Sequence, residues 1–310
     1  MTTILSSMGS SVHRRGWGAA VLIIAGVVLG ACGGNVPERD SDQPRFVTTI
    51  PPFEMILERL VDGRGTVDRL LEPGASPHTY DPTPSDLRAT TTATALVYGA
   101  EALDGWAADL PSSRRLELVS MVPVSGRLLF ENGHGDGSVD PHFWTDPLTV
   151  KQLVPVLADT LCAVDPSGCS TYRANADSFT TALATLDTQI RGLTTPVQEV
   201  PVLLAQPFFR YFLHQYGPRL VGVIEPSPGA EATPRQLRRL VDRAHATGAH
   251  AILTQRSLSD RAARAVSGAA GIPVVALDPL GGTEGRRTYE DLLRFNARTL
   301  NTALAAPEPR

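Results

Sequence analysis

Two histidines and an aspartate stand out because each sits in a loop that proline makes stiff. His78 lies within Glu72-Pro73-Gly74-Ala75-Ser76-Pro77-His78-Thr79-Tyr80-Asp81-Pro82-Thr83-Pro84-Ser85-Asp86-Leu87, a stretch with four prolines. His142 lies within Asp140-Pro141-His142-Phe143-Trp144-Thr145-Asp146-Pro147, and Asp278 follows an apolar run in Leu277-Asp278-Pro279-Leu280-Gly281-Gly282. Neutral imidazole and carboxylate suit zinc and are tolerated by manganese or iron. Singly, each residue has an ordinary reading: a loop histidine at the surface, or an aspartate that starts a turn before proline. Together, at the carboxyl ends of strands read in both halves of the chain, they point to a bound metal.

The elements that must position these loops follow from hydrophobic periodicity. In the first half, strands are expected at Phe46–Ile50, Thr66–Leu71, Ala95–Tyr98 and near Leu116–Val119. Helices are expected from Pro51 to about Val61, from about Ser85 (capped by Ser85 or Asp86), around Ala102–Leu110 and from Pro147 to Ala163. Residues 170–193 carry apolar side chains at Phe179, Leu183, Leu186 and Ile190, a helical spacing, and would form roughly 35 Å of helix. A second strand–helix alternation follows: strands Val202–Ala205, Leu220–Ile224, Ala251–Thr254 and Val274–Leu277, with helices at Phe208–Tyr216, Pro234–Thr247, Ser259–Ala270 and Tyr289–Leu304. The fold class expected is therefore α/β, with parallel sheets flanked by helices and ligands held at the carboxyl ends of the strands.

The N-terminus reads as an address. His13, Arg14 and Arg15 precede an apolar run from Ala19 to Leu29, and Leu29-Gly30-Ala31-Cys32 ends it. About a dozen apolar residues match a secretory core better than a membrane span. Leu-Gly-Ala-Cys is similar to a bacterial lipobox, which implies cleavage before Cys32, its lipidation and anchoring at the extracytoplasmic face of the cell membrane. Residues 1–31 are then a lipoprotein signal peptide and 32–45 a flexible tether. In an exported chain Cys162 and Cys169, which flank Asp165-Pro166-Ser167-Gly168, are expected as a disulfide; two buried thiols are the alternative.

Composition excludes some classes. The chain of 310 residues has 28 basic and 32 acidic side chains, a net charge of −4. The signs are interspersed, which argues against a nucleic-acid partner. The arginines are dispersed and Lys151 is the only lysine.

The motifs PGASPHTYDPTPSDL, DPHFWTDP and LDPLGG, with Ala205-Gln206-Pro207-Phe208-Phe209-Arg210-Tyr211-Phe212, Tyr216-Gly217 and Glu225-Pro226-Ser227-Pro228, resemble the zinc/manganese-uptake branch of the periplasmic solute-binding proteins of ABC transporters. The resemblance spans about residues 46–304. It implies two α/β lobes (46–168 and 199–306) joined by one long backbone helix (169–195), with a single metal ion between them. His78 and His142 match the N-lobe ligands and Asp278 the C-lobe carboxylate. The third ligand position, usually His or Glu, falls on Gln206, which would coordinate directly or through water. The family's Glu in a later strand is Gln255. Two imidazoles with one carboxylate would leave a divalent ion with a net charge of +1, and zinc is favoured over manganese. His134 and Asp136, in a short glycine-rich loop, stand where zinc binders often carry a His-rich segment.

The resemblance thus implies a monomeric, lipid-anchored protein that captures a divalent ion and delivers it to a membrane permease. A secreted zinc hydrolase using His78, His142 and Asp278 is the alternative, but no His-Glu-x-x-His helix supplies a general base. An adhesin or scaffold that has lost metal transport is a third reading.

Overall fold

Short β-branched runs become parallel strands here because helices cover both faces of each sheet. The computed structural model describes residues 43–130, 137–226, 232–255 and 261–305. The signal segment, Cys32, the tether up to residue 42, His134, Asp136, Ser227, Pro228 and residues 256–260 lie outside them.

The first lobe runs strand Arg45–Thr48 (β1), helix Pro51–Val61 (α1), strand Thr66–Arg69 (β2), helix Pro84–Thr91 (α2), strand Ala95–Tyr98 (β3), helix Glu101–Asp104 (α3), strand Arg115–Glu117 (β4), helix Leu118–Met121 (α4) and helix Pro147–Val164 (α5). Its four strands pair in parallel in the order β2-β1-β3-β4. Helix Cys169–Thr194 (α6) leads to the second lobe. There strand Pro201–Leu204 (β5), helix Arg210–Tyr216 (α7), strand Arg219–Val223 (β6), helix Pro234–Thr247 (α8), strand Ala251–Gln255 (β7), helix Arg261–Ala270 (α9), strand Val274–Leu277 (β8) and helix Tyr289–Leu304 (α10) repeat the topology as β6-β5-β7-β8, again parallel. In each lobe the connection reverses direction on either side of one strand, so a crevice opens at the carboxyl ends of β1 and β3, and of β5 and β7.

α6 is 26 residues long, about 39 Å at 1.5 Å per residue. It buries Tyr172, Ala176, Phe179, Leu183, Leu186, Ile190 and Thr194, the stripe expected from sequence, and packs against α1, α5 and α10. One apolar cluster is continuous from Phe46 and Val97 in the first lobe through Phe179 and Leu186 to Phe212, Leu253 and Leu300 in the second. Both lobes therefore share one compact unit. Cys162 and Cys169 form the expected disulfide, with Cα atoms 4.5 Å apart, where α5 turns into α6. Beside it Arg64 grips Asp165 through two bonds of 2.6 and 2.7 Å and holds that carboxyl well below the usual carboxylate range.

Local details differ from the sequence expectation. The N-cap of α2 is Thr83, not Ser85 or Asp86: Pro84 takes the first helical position, where its missing donor costs nothing, and Asp86 returns a bond to the Thr83 N–H at 2.7 Å. The strand near Leu116–Val119 ends at Glu117, where pairing with β3 stops, and the chain turns into α4. The helix expected around Ala102–Leu110 is α3 followed by a 3-10 turn at Gly105–Asp109, because the Asp104 carboxylate folds back onto the Gly99 and Ala100 N–H groups.

Candidate metal centre

The loop after β2 carries His78 in a 3-10 turn, Pro77–Thr79. Two anchors fix it. The Trp106 indole N–H donates to the Pro77 carbonyl at 2.8 Å, and the Tyr80 hydroxyl donates to the capping Asp86 at 2.8 Å. His78 is half-buried and hydrogen-bonded to the backbone of Ala102. Burial, and next the neighbouring His142, push its pKa down to about 4 against that bond. The imidazole is therefore neutral, with a lone pair to offer, throughout the physiological range.

His142 stands between α4 and α5 and is buried. Its Nδ1 lies 2.8 Å from Asp140 Oδ1, which also accepts the His142 backbone N–H at 3.0 Å. A carboxylate at Nδ1 fixes the proton there and leaves Nε2 as the free lone pair, the arrangement that orients metal-binding histidines. Asp140 is fully buried, and its other oxygen accepts from Arg210 Nη1 at 2.9 Å. Arg210 belongs to the second lobe, as does Tyr211, whose hydroxyl donates to the Asp140 carbonyl at 3.1 Å. The two imidazole rings lie 5.8 Å apart, centroid to centroid, with planes inclined at 59°. Both face one cavity of about 280 Å³.

The opposite wall comes from the ends of three second-lobe strands. Gln206 follows β5, Glu225 follows β6 and Gln255 ends β7. Gln206 Nε2 donates to Glu225 at 3.2 Å, and Gln255 Nε2 donates to Gln206 Oε1 at 3.2 Å. This chain of two amides and a carboxylate, Gln255 to Gln206 to Glu225, crosses the β5/β7 crevice and lines the same cavity, with Trp144 and Phe208.

Asp278 is placed differently. The cavity wall nearest it is made by Pro279 and Leu280. Its Oδ1 accepts the N–H groups of Leu280 and Gly281 at 3.0 and 2.9 Å, and Oδ2 lies 2.7 Å from Arg286 Nε. Asn296 on α10 grips its backbone from both sides, at 2.8 and 2.7 Å. The structure thus brings His78, His142 and Gln206 to one cavity, while the Asp278 carboxylate is engaged beside it. Among the described residues, no three His, Cys, Asp or Glu side chains stand close enough to share a metal ion. Two imidazoles, those of His78 and His142, share this cavity.

Three participants escaped the sequence reading of roles: Asp140, Glu225 and Arg286. Only Asp140 had a local signal, an acid two residues before a histidine.

A family model described as "Zinc-uptake complex component A periplasmic" matches residues 46–303. The chain is 27% identical over 294 residues to the manganese-binding lipoprotein MntA of Halalkalibacterium halodurans, covering 92% of this chain and 97% of that protein. It is 22% identical over 284 residues to the zinc-binding protein AdcA of Streptococcus pyogenes, covering 83% of this chain and 55% of AdcA, so it spans about half of that relative. The solved structure of the periplasmic zinc-binding protein TroA from Treponema pallidum superposes with a TM-score of 0.74 at 23% identity, over 85% of this chain and 100% of that one, a likeness of fold.

Proposed function

Because the chain belongs to the periplasmic zinc-uptake complex component A family, whose members are solute-binding transport proteins and not enzymes, we propose that it captures one divalent metal ion between its lobes and delivers it to the permease of an ABC transporter. Zinc is the favoured cargo and manganese the second. His78 and His142 are the primary ligands, Gln206 supplies its carbonyl oxygen directly or through water, and Asp278 is the carboxylate. Cys32 carries the lipid anchor, and the protein works as a monomer at the outer face of the membrane.

The observation that supports this reading most is the pair of imidazoles from two separate proline-fenced loops facing one cavity, one tautomer set by Asp140. His78, neutral before the ion arrives, has no proton to release on binding, which favours capture at neutral pH. Asp278 completes the set when its Oδ2 exchanges Arg286 for the ion, beside the cavity that its neighbours Pro279 and Leu280 already line.

Calorimetric titration of the metal-free protein with Zn²⁺ and Mn²⁺ tests the reading. One site per chain is expected, with zinc the tighter ion and a rise in melting temperature by mass action. His78→Ala and His142→Ala should each abolish the rise. Unchanged affinity in Gln206→Ala would remove Gln206 from the ligand set, and absence of binding to either ion would remove the whole reading.

A further inference from the structure

We infer that Arg286 is an internal counter-ion that occupies the Asp278 carboxylate until a divalent cation displaces it, and so sets how tightly the cargo is held. The inference rests on Asp278 being a metal ligand.

The pair is largely shielded: the Arg286 and Asp278 side chains are 18% and 16% exposed. The two carboxylate oxygens are not equivalent. Oδ1 is fixed by two backbone N–H groups, whereas among the described residues Oδ2 meets the guanidinium alone. Arg286 Nε lies 2.7 Å from Oδ2 yet makes no directed hydrogen bond among the described residues, so charge rather than bond geometry holds the contact. Such a contact can be exchanged for a metal ion without disturbing the Oδ1 bonds.

Arg286 also has somewhere to remain after the exchange. Its guanidinium carbon lies 4.3 Å over the Phe295 ring, and Nη2 donates to Thr283 Oγ1 at 2.7 Å. The aromatic face on α10 stabilises the cation independently of Asp278. The loop that carries both residues is closed by Gly282 N–H to Arg286 carbonyl and Arg286 N–H to Thr283 carbonyl bonds of 2.9 and 3.0 Å. Gly281, at φ +64°, makes this closure possible: a Cβ there would stand 2.9 Å from the Arg286 carbonyl oxygen. A cation held so near the carboxylate competes with the cargo for Oδ2 and repels it electrostatically.

Arg286→Gln removes the charge and leaves a shorter, neutral side chain that is still polar. Titrated with Zn²⁺ alone, it should bind about tenfold or more tightly than the wild type. Arg286→Lys should return affinity to the wild-type range. Asp278→Asn should weaken binding about tenfold or more. In the wild type, the Arg286 Nε–H resonance should shift on zinc addition, and this shift should vanish in Asp278→Asn. If Asp278→Asn weakens binding but Arg286→Gln binds zinc equally or less tightly, the counter-ion role is wrong and the ligand reading stands. If Asp278→Asn leaves affinity unchanged, the ligand reading fails and takes the inference with it.

Discussion

Asp140→Asn isolates the support of one histidine from the histidine itself. Asp140 is fully buried, accepts His142 Nδ1 at 2.8 Å and Arg210 Nη1 at 2.9 Å, and touches no part of the cavity wall. Asparagine keeps the shape but loses the charge, so the proton on Nδ1 is no longer enforced and the Nε2 lone pair is no longer guaranteed. Hydrogen bonds to charged groups contribute about 1.5–3 kcal/mol, and loss of such a supporting carboxylate typically lowers metal affinity about 10–100-fold. We expect zinc affinity to fall within that range by competition against a chelator of known affinity. The same change leaves Arg210, 19% exposed, without its anionic partner between the lobes. Because that guanidinium keeps a bond to the Leu129 carbonyl and some solvent, the stability loss should be about 2 kcal/mol, or a melting temperature lowered by about 4 °C. Asp159→Asn, which breaks an ion pair with both side chains about two-thirds exposed, is the control and should change neither quantity. Wild-type zinc affinity in Asp140→Asn would refute the orienting role.

Other consequences can be checked on the metal-free protein. His78 should titrate near pH 4 by NMR, its imidazole disfavoured as a cation by burial and by His142. Since the unfolded chain protonates this residue near 6.5, stability from His78 is full above that pH and declines as pH falls toward 4. A midpoint near 6.5 would show an exposed ring and contradict the geometry. Replacing Cys162 and Cys169 with serine removes a cross-link of sequence separation 7 and should cost about 2.4 kcal/mol in denaturant unfolding, with zinc stoichiometry unchanged. A loss of zinc binding in that variant would tie the junction of α5 and α6 to the site.

The sequence carried the scaffold well where one residue type in one rhythm decides the structure. The apolar stripe of α6 specifies a helix and its buried face by spacing alone, and the prolines around His78 and His142 mark stiff loops because proline fixes φ. What depends on distant partners was not legible. Asp278 reads as a ligand from its place after β8, but its carboxylate is engaged by Arg286 eight residues on, an arginine with no local signal among the others. Gln206 reads as a weak substitute for a stronger ligand. Only strand order shows that it is held between Glu225 and Gln255, 19 and 49 residues away. The α2 cap shifted from Ser85 or Asp86 to Thr83 for a local reason, since Pro84 fits the first turn better than the capping position.

X-ray absorption at the zinc edge of the loaded protein tests the central claim most directly, because it counts imidazoles bound to the metal. Capture by His78 and His142 predicts two imidazole nitrogens, with oxygen donors completing the shell and no sulfur. A shell of oxygen alone, a sulfur ligand, or zinc that keeps two imidazoles when His78 and His142 are both replaced by alanine would contradict it.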